Sequence, residues 1–214
     1  MRCHLVSGRA HSARSKVVIV AALFATITTL GATGCSGSTG AAVAPSVSAP
    51  TIVAAVPRVV RAASMDKSVP VRLQIKAIGV DSKLMDLGLR ADGSLQVPPS
   101  GFPAGWYTGG PTPGEVGPAV IAGHVDWNGP GVFYDLHNLK PGDQVTITRK
   151  DGSKPSFRIT RVEQFPKEHF PTRLVYGNID HPGLRLITCG GSFNHQTGSY
   201  EDDIVAFADL IAPT

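Results

Sequence analysis

The chain has 214 residues, enough for one ordinary domain with a segment to spare, and a formal charge of +4 at neutral pH. Of its 20 Lys/Arg, six (Arg2, Arg9, Arg14, Lys16, Arg58 and Arg61) precede the first acidic residue, leaving 14 against all 16 Asp/Glu in the remainder. The basic balance therefore belongs to the N-terminal segment and gives no support to nucleic-acid binding, which needs a basic patch on the folded part.

In chain order, the basic stretch to Lys16 is followed by an apolar run from Val17 to Leu30. That is the pattern of a secretory signal. It is short for a spanning helix, which takes about 20 residues, yet no charge follows until Arg58, so a signal-anchor stays open. The run ends in Ala32-Thr33-Gly34-Cys35-Ser36, which resembles the lipobox of bacterial lipoproteins and makes Cys35 the candidate for lipidation. Lipoprotein, uncleaved anchor and cleaved secretion all place the folded domain outside the cytoplasmic membrane. Residues 1–35 are read as this signal, and residues 36–66, rich in Ala, Val, Ser and Pro, as a linker. A flexible chain of that length spans roughly 30 Å.

Residues 67–214 read as the folded domain. Val71 to Ile75 alternates apolar and polar, as a strand does. A second short strand or turn lies in Val80 to Leu89, and Asp92-Gly93 turns the chain into Ser94–Val97, which Pro98 and Pro99 stop. Gly105 to Gly117 reads as a loop and Ala119–Ala122 as a buried strand. A helical turn fits between Val132 and Leu139. Gln144–Thr148 and Ser156–Thr160 form a hairpin about Asp151-Gly152. Pro166 to Asn178 is irregular, and two apolar strands around Cys189 and before Phe207 close the chain. About eight short strands with Gly/Pro turns and no long helical period predict a mainly β fold with short helices, a closed or nearly closed barrel.

Two side chains stand at strand ends. His124 follows Ala119–Ala122 and Cys189 follows Leu184–Thr188, each just ahead of a glycine-rich stretch. If the strands are neighbours, thiol and imidazole meet at the rim. An ordinary thiol is only a few per cent ionised at neutral pH and needs an imidazole or a cation beside it to act as a nucleophile. Cys189 is the only cysteine of the folded part, and a lone cysteine is as readily a small buried hydrophobe. Asp126 is placed to orient His124 or merely to share its turn, while Trp106, Tyr107 and Trp127 read as groove or core aromatics. The domain lacks Cys-x-x-Cys and His-Glu-x-x-His, so no metal and no other cofactor is expected.

Ala122-Gly123-His124-Val125-Asp126, Gly131-Val132-Phe133-Tyr134, Phe170-Pro171-Thr172 with Val175-Tyr176-Gly177, and Leu186-Ile187-Thr188-Cys189-Gly190-Gly191 resemble the class F sortases of actinobacteria. The resemblance covers about Val69 to Leu210. It implies an eight-stranded sortase β-barrel and a cysteine transpeptidase that cleaves the Thr–Gly bond of an LPXTG-like sorting signal on a surface protein. The thioacyl enzyme then passes its cargo to an amine acceptor, such as a cell-wall precursor, or to water. It implies that Cys189 is the nucleophile, that His124 is the general acid/base, and that Thr188 contacts substrate backbone. It implies an enzyme on the outer membrane-facing surface of a Gram-positive-type cell, where the N-terminal signal-anchor or lipidated Cys35 would supply the tether, and nothing in the sequence asks for more than a monomer.

The family also has an arginine near the start of the last strand, and here that stretch reads Tyr200-Glu201-Asp202-Asp203. Three alternatives are open. Arg173 leans in from its loop and pairs with Glu201. Arg185 serves from the same strand face, about 13 Å from Cys189 along an extended strand. Or the protein is an impaired sortase-fold module that binds peptides without turning them over.

Overall fold

The computed structural model describes residues 63–211; the signal, Cys35 and most of the linker lie outside them. Eight strands form one closed barrel: β1 Pro70–Ile75, β2 Val80–Leu87, β3 Ala104–Tyr107, β4 Gly117–Ala122, β5 Gln144–Arg149, β6 Ser156–Pro166, β7 Pro182–Asn194 and β8 Ser199–Leu210. Around the barrel their order is β1-β2-β3-β4-β7-β8-β6-β5. Most neighbours are antiparallel; β2–β3 and β4–β7 are parallel. Single 3₁₀ turns occupy Lys76–Ile78, Leu136–Asn138 and Lys167–His169, and the one α-helix among the described residues is α1, Thr172–Tyr176.

The sequence-level strands are present with two differences. Ser94–Val97 makes only an isolated bridge, Leu89↔Leu95, because Pro98 and Pro99 leave no room for a ladder. Ala104–Tyr107, read as the start of a loop, is strand β3. Gly105 there has no room for a side chain, since a Cβ would stand 2.4 Å from Leu87 Cγ on β2. This close approach, rather than alternation, is what lets so short a strand join the barrel.

The two faces of the sheet carry two apolar clusters, and strand alternation decides which residue enters which. Ala119, Ile121, Leu184, Leu186, Ala206 and Ala208 join Leu73, Phe133, Val145 and Phe157 in the larger cluster, inside the barrel. Val120, Ala122, Ile187, Val205 and Phe207 point the other way. They are covered by Phe165, Phe170, Val175 and Tyr176 from the end of β6 and the connection to β7. The strands β4 and β7 are thus buried on both faces, which accounts for the unbroken apolar run of β4 and for a β7 that is apolar apart from Arg185 and Thr188. The outer cluster is the floor of the candidate site.

On the opposite flank, Arg149 is a fully buried guanidinium. It donates to the carbonyl oxygens of Pro113 (3.3 Å) and Asp66 and pairs with Asp151 at 3.1 Å. It ties the segment entering β1 to the barrel wall.

Candidate active site

Cys189 lies two-thirds of the way along β7, on the outer face with Ile187. The parallel register pairs Ala122 with Ile187, and Gly123 N donates to Ile187 O at 3.0 Å. His124 stands two residues beyond Ala122, as Cys189 stands two residues beyond its partner Ile187. The chain can turn away immediately after His124 because Gly131 returns against it: a Cβ on Gly131 would stand 2.4 Å from His124 O. Phe133 N closes that turn by donating to His124 O at 2.9 Å.

The imidazole is 3% exposed and stacks on Trp127, with ring centroids 4.9 Å apart. Its Nε2 is 2.7 Å from Pro98 O. A carbonyl only accepts, so Nε2 carries the hydrogen and Nδ1 is the nitrogen left to take up or release a proton. Asp126 does not orient this ring through that bond; it accepts from the Tyr200 hydroxyl at 3.0 Å, joining the His124 loop to the start of β8.

The sulfur has an unforeseen neighbour. Lys167, at the head of the 3₁₀ turn after β6, puts Nζ 3.4 Å from Cys189 Sγ. The same ammonium donates to Tyr200 O at 2.7 Å and Ser199 Oγ at 3.2 Å, and lies 4.0 Å from Asp203 Oδ1. Burial pulls the Lys167 pKa down, against the pull of Asp203 and Asp202. Asp203 pairs directly with Cys189 across the β7–β8 ladder. It is fully buried and neither carboxylate oxygen has a hydrogen bond, and burial pushes its pKa up to about 7 despite Lys167. In the structure the Cys189 sulfur is in a disulfide. Nucleophilic chemistry belongs to the reduced side chain.

Just beyond the sulfur, β7 is interrupted by a bulge between Gly190 and Phe193. Gly191 is the glycine whose backbone it requires. A Cβ on Gly190 would stand 2.4 Å from Ile204 Cδ1, and Gly191 has φ +73°, with its Cβ position 2.3 Å from Asp202 Oδ2.

The sortase domain, as a family, matches residues 73–211, well over half of the chain. The chain belongs to the sortase family. Among solved structures it is similar to sortase C1 from Streptococcus agalactiae, at 16% identity and a TM-score of 0.53 over 67% of this chain and 68% of that one. A lid mutant of sortase A from Corynebacterium diphtheriae matches at 19% identity and a TM-score of 0.53, over 70% and 74% of the two chains. Sortase C from Streptococcus pneumoniae matches at 18% identity and a TM-score of 0.51, over 68% of each. At these identities the likeness speaks for the fold, a mainly β closed barrel. No curated protein sequence matches this sortase significantly. Membership of the family implies cysteine transpeptidase chemistry in general.

The other side chains that the sequence singles out fall on both faces of the barrel wall. Thr188 points to the barrel side of β7, opposite to the sulfur; it is fully buried and Oγ1 has no hydrogen-bond partner. Arg185 does lie on the sulfur's face, but its guanidinium sits 4.8 Å over the Phe207 ring and donates to Leu184 O. Burial lowers its pKa to about 10. Arg173, on α1, is exposed and its side chain forms no hydrogen bond or ion pair among the described residues. Glu201, its expected partner, accepts instead from Asn194 at 3.4 Å. Trp106 is a core residue whose indole donates to Pro111 O, whereas Tyr107 packs edge-on to Tyr176 in the outer cluster.

Lys167 escapes sequence reasoning because it sits in a stretch without periodicity. The one local signal is apolar Val162 and Phe165 after the Phe157/Ile159 alternation, which fits a β6 reaching Pro166 and leaves Lys167 at its tip.

Proposed function

We propose that this sortase is a class F-type cysteine transpeptidase tethered outside the cytoplasmic membrane by its N-terminal signal or lipid anchor. It cleaves an LPXTG-like sorting signal between Thr and Gly. The observation that supports this reading is the β4–β7 register, which pairs Ala122 with Ile187, so that His124 and Cys189 each follow two residues beyond the same pair. In this reading the Cys189 thiolate attacks the threonine carbonyl carbon. His124 protonates the departing glycine amine, and a thioester remains on Cys189. An amine, such as one on a cell-wall precursor, then attacks the thioester and gives its proton to His124; water in its place gives hydrolysis.

The test is incubation of the reduced protein with an LPXTG-like peptide, followed by intact mass. An acyl adduct that disappears in Cys189→Ala supports turnover. Binding without adduct or cleavage across a library of motifs overturns it and favours the second reading, a sortase-fold module that binds peptides without reaction. The observation behind that alternative is Asp203, a buried carboxylate across the ladder from the sulfur.

A further inference from the structure

A cation near the sulfur is what the chemistry of a thiolate requires, and β8 does not supply it: its residue facing Cys189 is Asp203. A carboxylate alone would oppose both the thiolate and the oxyanion that forms from it. The charge is restored from the neighbouring strand. β6 pairs with β8 on the side away from β7, and its last pairs, Phe165↔Asp203 and Pro166↔Asp202, carry the chain to the level of the sulfur. Lys167 is the next residue. Its side chain, 12% exposed, crosses the end of β8. An ammonium has three hydrogens, and three acceptors surround this one: Tyr200 O, Ser199 Oγ and Cys189 Sγ. Two of them fix the nitrogen, and the third is the reacting atom.

We propose that Lys167 is a catalytic residue of this site, holding the Cys189 thiolate and then the oxyanion formed when it attacks, with Asp203 as the buried counter-charge. This rests on the transpeptidase reading above. In the step concerned, a sulfur lone pair forms the C–S bond and the carbonyl π pair moves to oxygen. Negative charge thereby leaves sulfur for an atom bonded to the same carbon, still beside Nζ. When the oxyanion collapses, the C–N bond breaks and the amine takes its proton from His124. Lys167 stays protonated throughout. Asp203 and the thiol share one negative charge between them: with Lys167 charged, thiolate and neutral carboxyl, or thiol and carboxylate, each leave the trio balanced. The titratable groups around the pair are Asp202 from β8, Lys167 from the end of β6, and Tyr176 from α1.

The deciding experiment is the pH profile of Cys189 alkylation by iodoacetamide in the reduced full chain, read on the Cys189 peptide, beside acylation by an LPXTG-like peptide. Lys167→Met should move the alkylation midpoint up by about one unit or more, the usual effect of removing an adjacent opposite charge. Its acylation rate should fall about 100- to 1000-fold, as for loss of an oxyanion donor. Lys167→Arg should restore most of both. Asp203→Asn should move the alkylation midpoint down, which covers the case of a Lys167→Met protein that does not fold. A folded Lys167→Met with an unchanged midpoint, or an Asp203→Asn with an unchanged midpoint, overturns the proposal. If that happens while peptide still acylates Cys189, the transpeptidase reading stands. If the midpoints shift as expected but no peptide acylates the parent chain, it is that reading which fails, and Lys167 remains the partner of the thiolate.

Discussion

Asp203 faces Cys189 across the β7–β8 ladder, fully buried, with no hydrogen bond to either oxygen and one ammonium 4.0 Å away. A single cation at that distance compensates the burial only in part, because the energy of removing a carboxylate from water exceeds what one imperfectly placed ion pair returns. The site keeps a charge at some expense to the fold, and that expense depends on pH.

The dependence has a definite sign. The carboxyl of Asp203 titrates near 7 in the folded chain and near 3.9 when unfolded. Between those values the folded state holds a proton that the unfolded state has lost. Stability therefore falls as pH rises from about 4 to 7 and levels off above, by a few kcal/mol at most. Asp202 and Tyr176 act on the group in addition to Lys167. Asp203→Asn should raise the melting temperature at pH 8 and change it little at pH 4.5. Equal changes at both pH values would contradict a carboxyl that ionises on this scale.

Gly191 ties the cysteine strand to the bulge beyond it. With φ +73° and a Cβ position 2.3 Å from Asp202 Oδ2, Gly191→Ala meets both backbone strain and a clash. Asp202 is held in place by Gln164 Nε2 at 2.6 Å and has limited room to yield. The left-handed conformation alone costs a residue with a Cβ about 1–2 kcal/mol, and thermal unfolding should begin roughly 5 °C lower. A melt identical to the parent's would remove the bulge as the reason for the second glycine.

Much of the barrel is legible locally, and the exceptions have physical causes. The matched apolar runs Ala119–Ala122 and Leu184–Ile187 mark strands buried on both faces, and Asp151-Gly152 marks its hairpin. His124 and Cys189 stand out because each ends such a run. β3 escapes notice because four residues containing a glycine have no measurable alternation; it is held by β2 and β4, far away in sequence. Lys167 escapes for a related reason. Its approach to the sulfur depends on the β6–β8 register, including the shift between Ile159 and Arg161, and such a shift leaves no trace in a local pattern. Arg185 misleads for the opposite reason: it shares the correct face, yet packing on Phe207 holds its guanidinium there.

Arg149 offers a test of the barrel apart from the site. Its guanidinium serves two backbone carbonyls and Asp151 from a fully buried position. Arg149→Met fills similar space but leaves the carbonyls of Pro113 and Asp66 without that donor. A loss of about 2–3 kcal/mol in denaturant unfolding is expected. Hydrogen exchange should rise first at Met65, whose amide donates to Gly114 O next to the same carbonyl cluster. Protection unchanged there would mean that the entering segment is held without the arginine.

In the proposed reaction His124 and Lys167 act on different stages, and one pair of assays separates them. The imidazole is fixed by Pro98 O through Nε2, so its exchangeable proton is at Nδ1. That proton is needed when an amine leaves, whereas a small alkylating agent expels a halide that needs none. His124→Gln should therefore slow peptide acylation about 100- to 10,000-fold, the usual worth of a positioned acid/base. It should leave alkylation of Cys189 at pH 8 far less affected. Lys167→Met should slow both at neutral pH, because the ammonium lies at the sulfur itself, 3.4 Å away. The reverse pattern, alkylation collapsing in His124→Gln and unaffected in Lys167→Met, would make the imidazolium the partner of the thiolate and reduce Lys167 to a strap on the Tyr200 carbonyl.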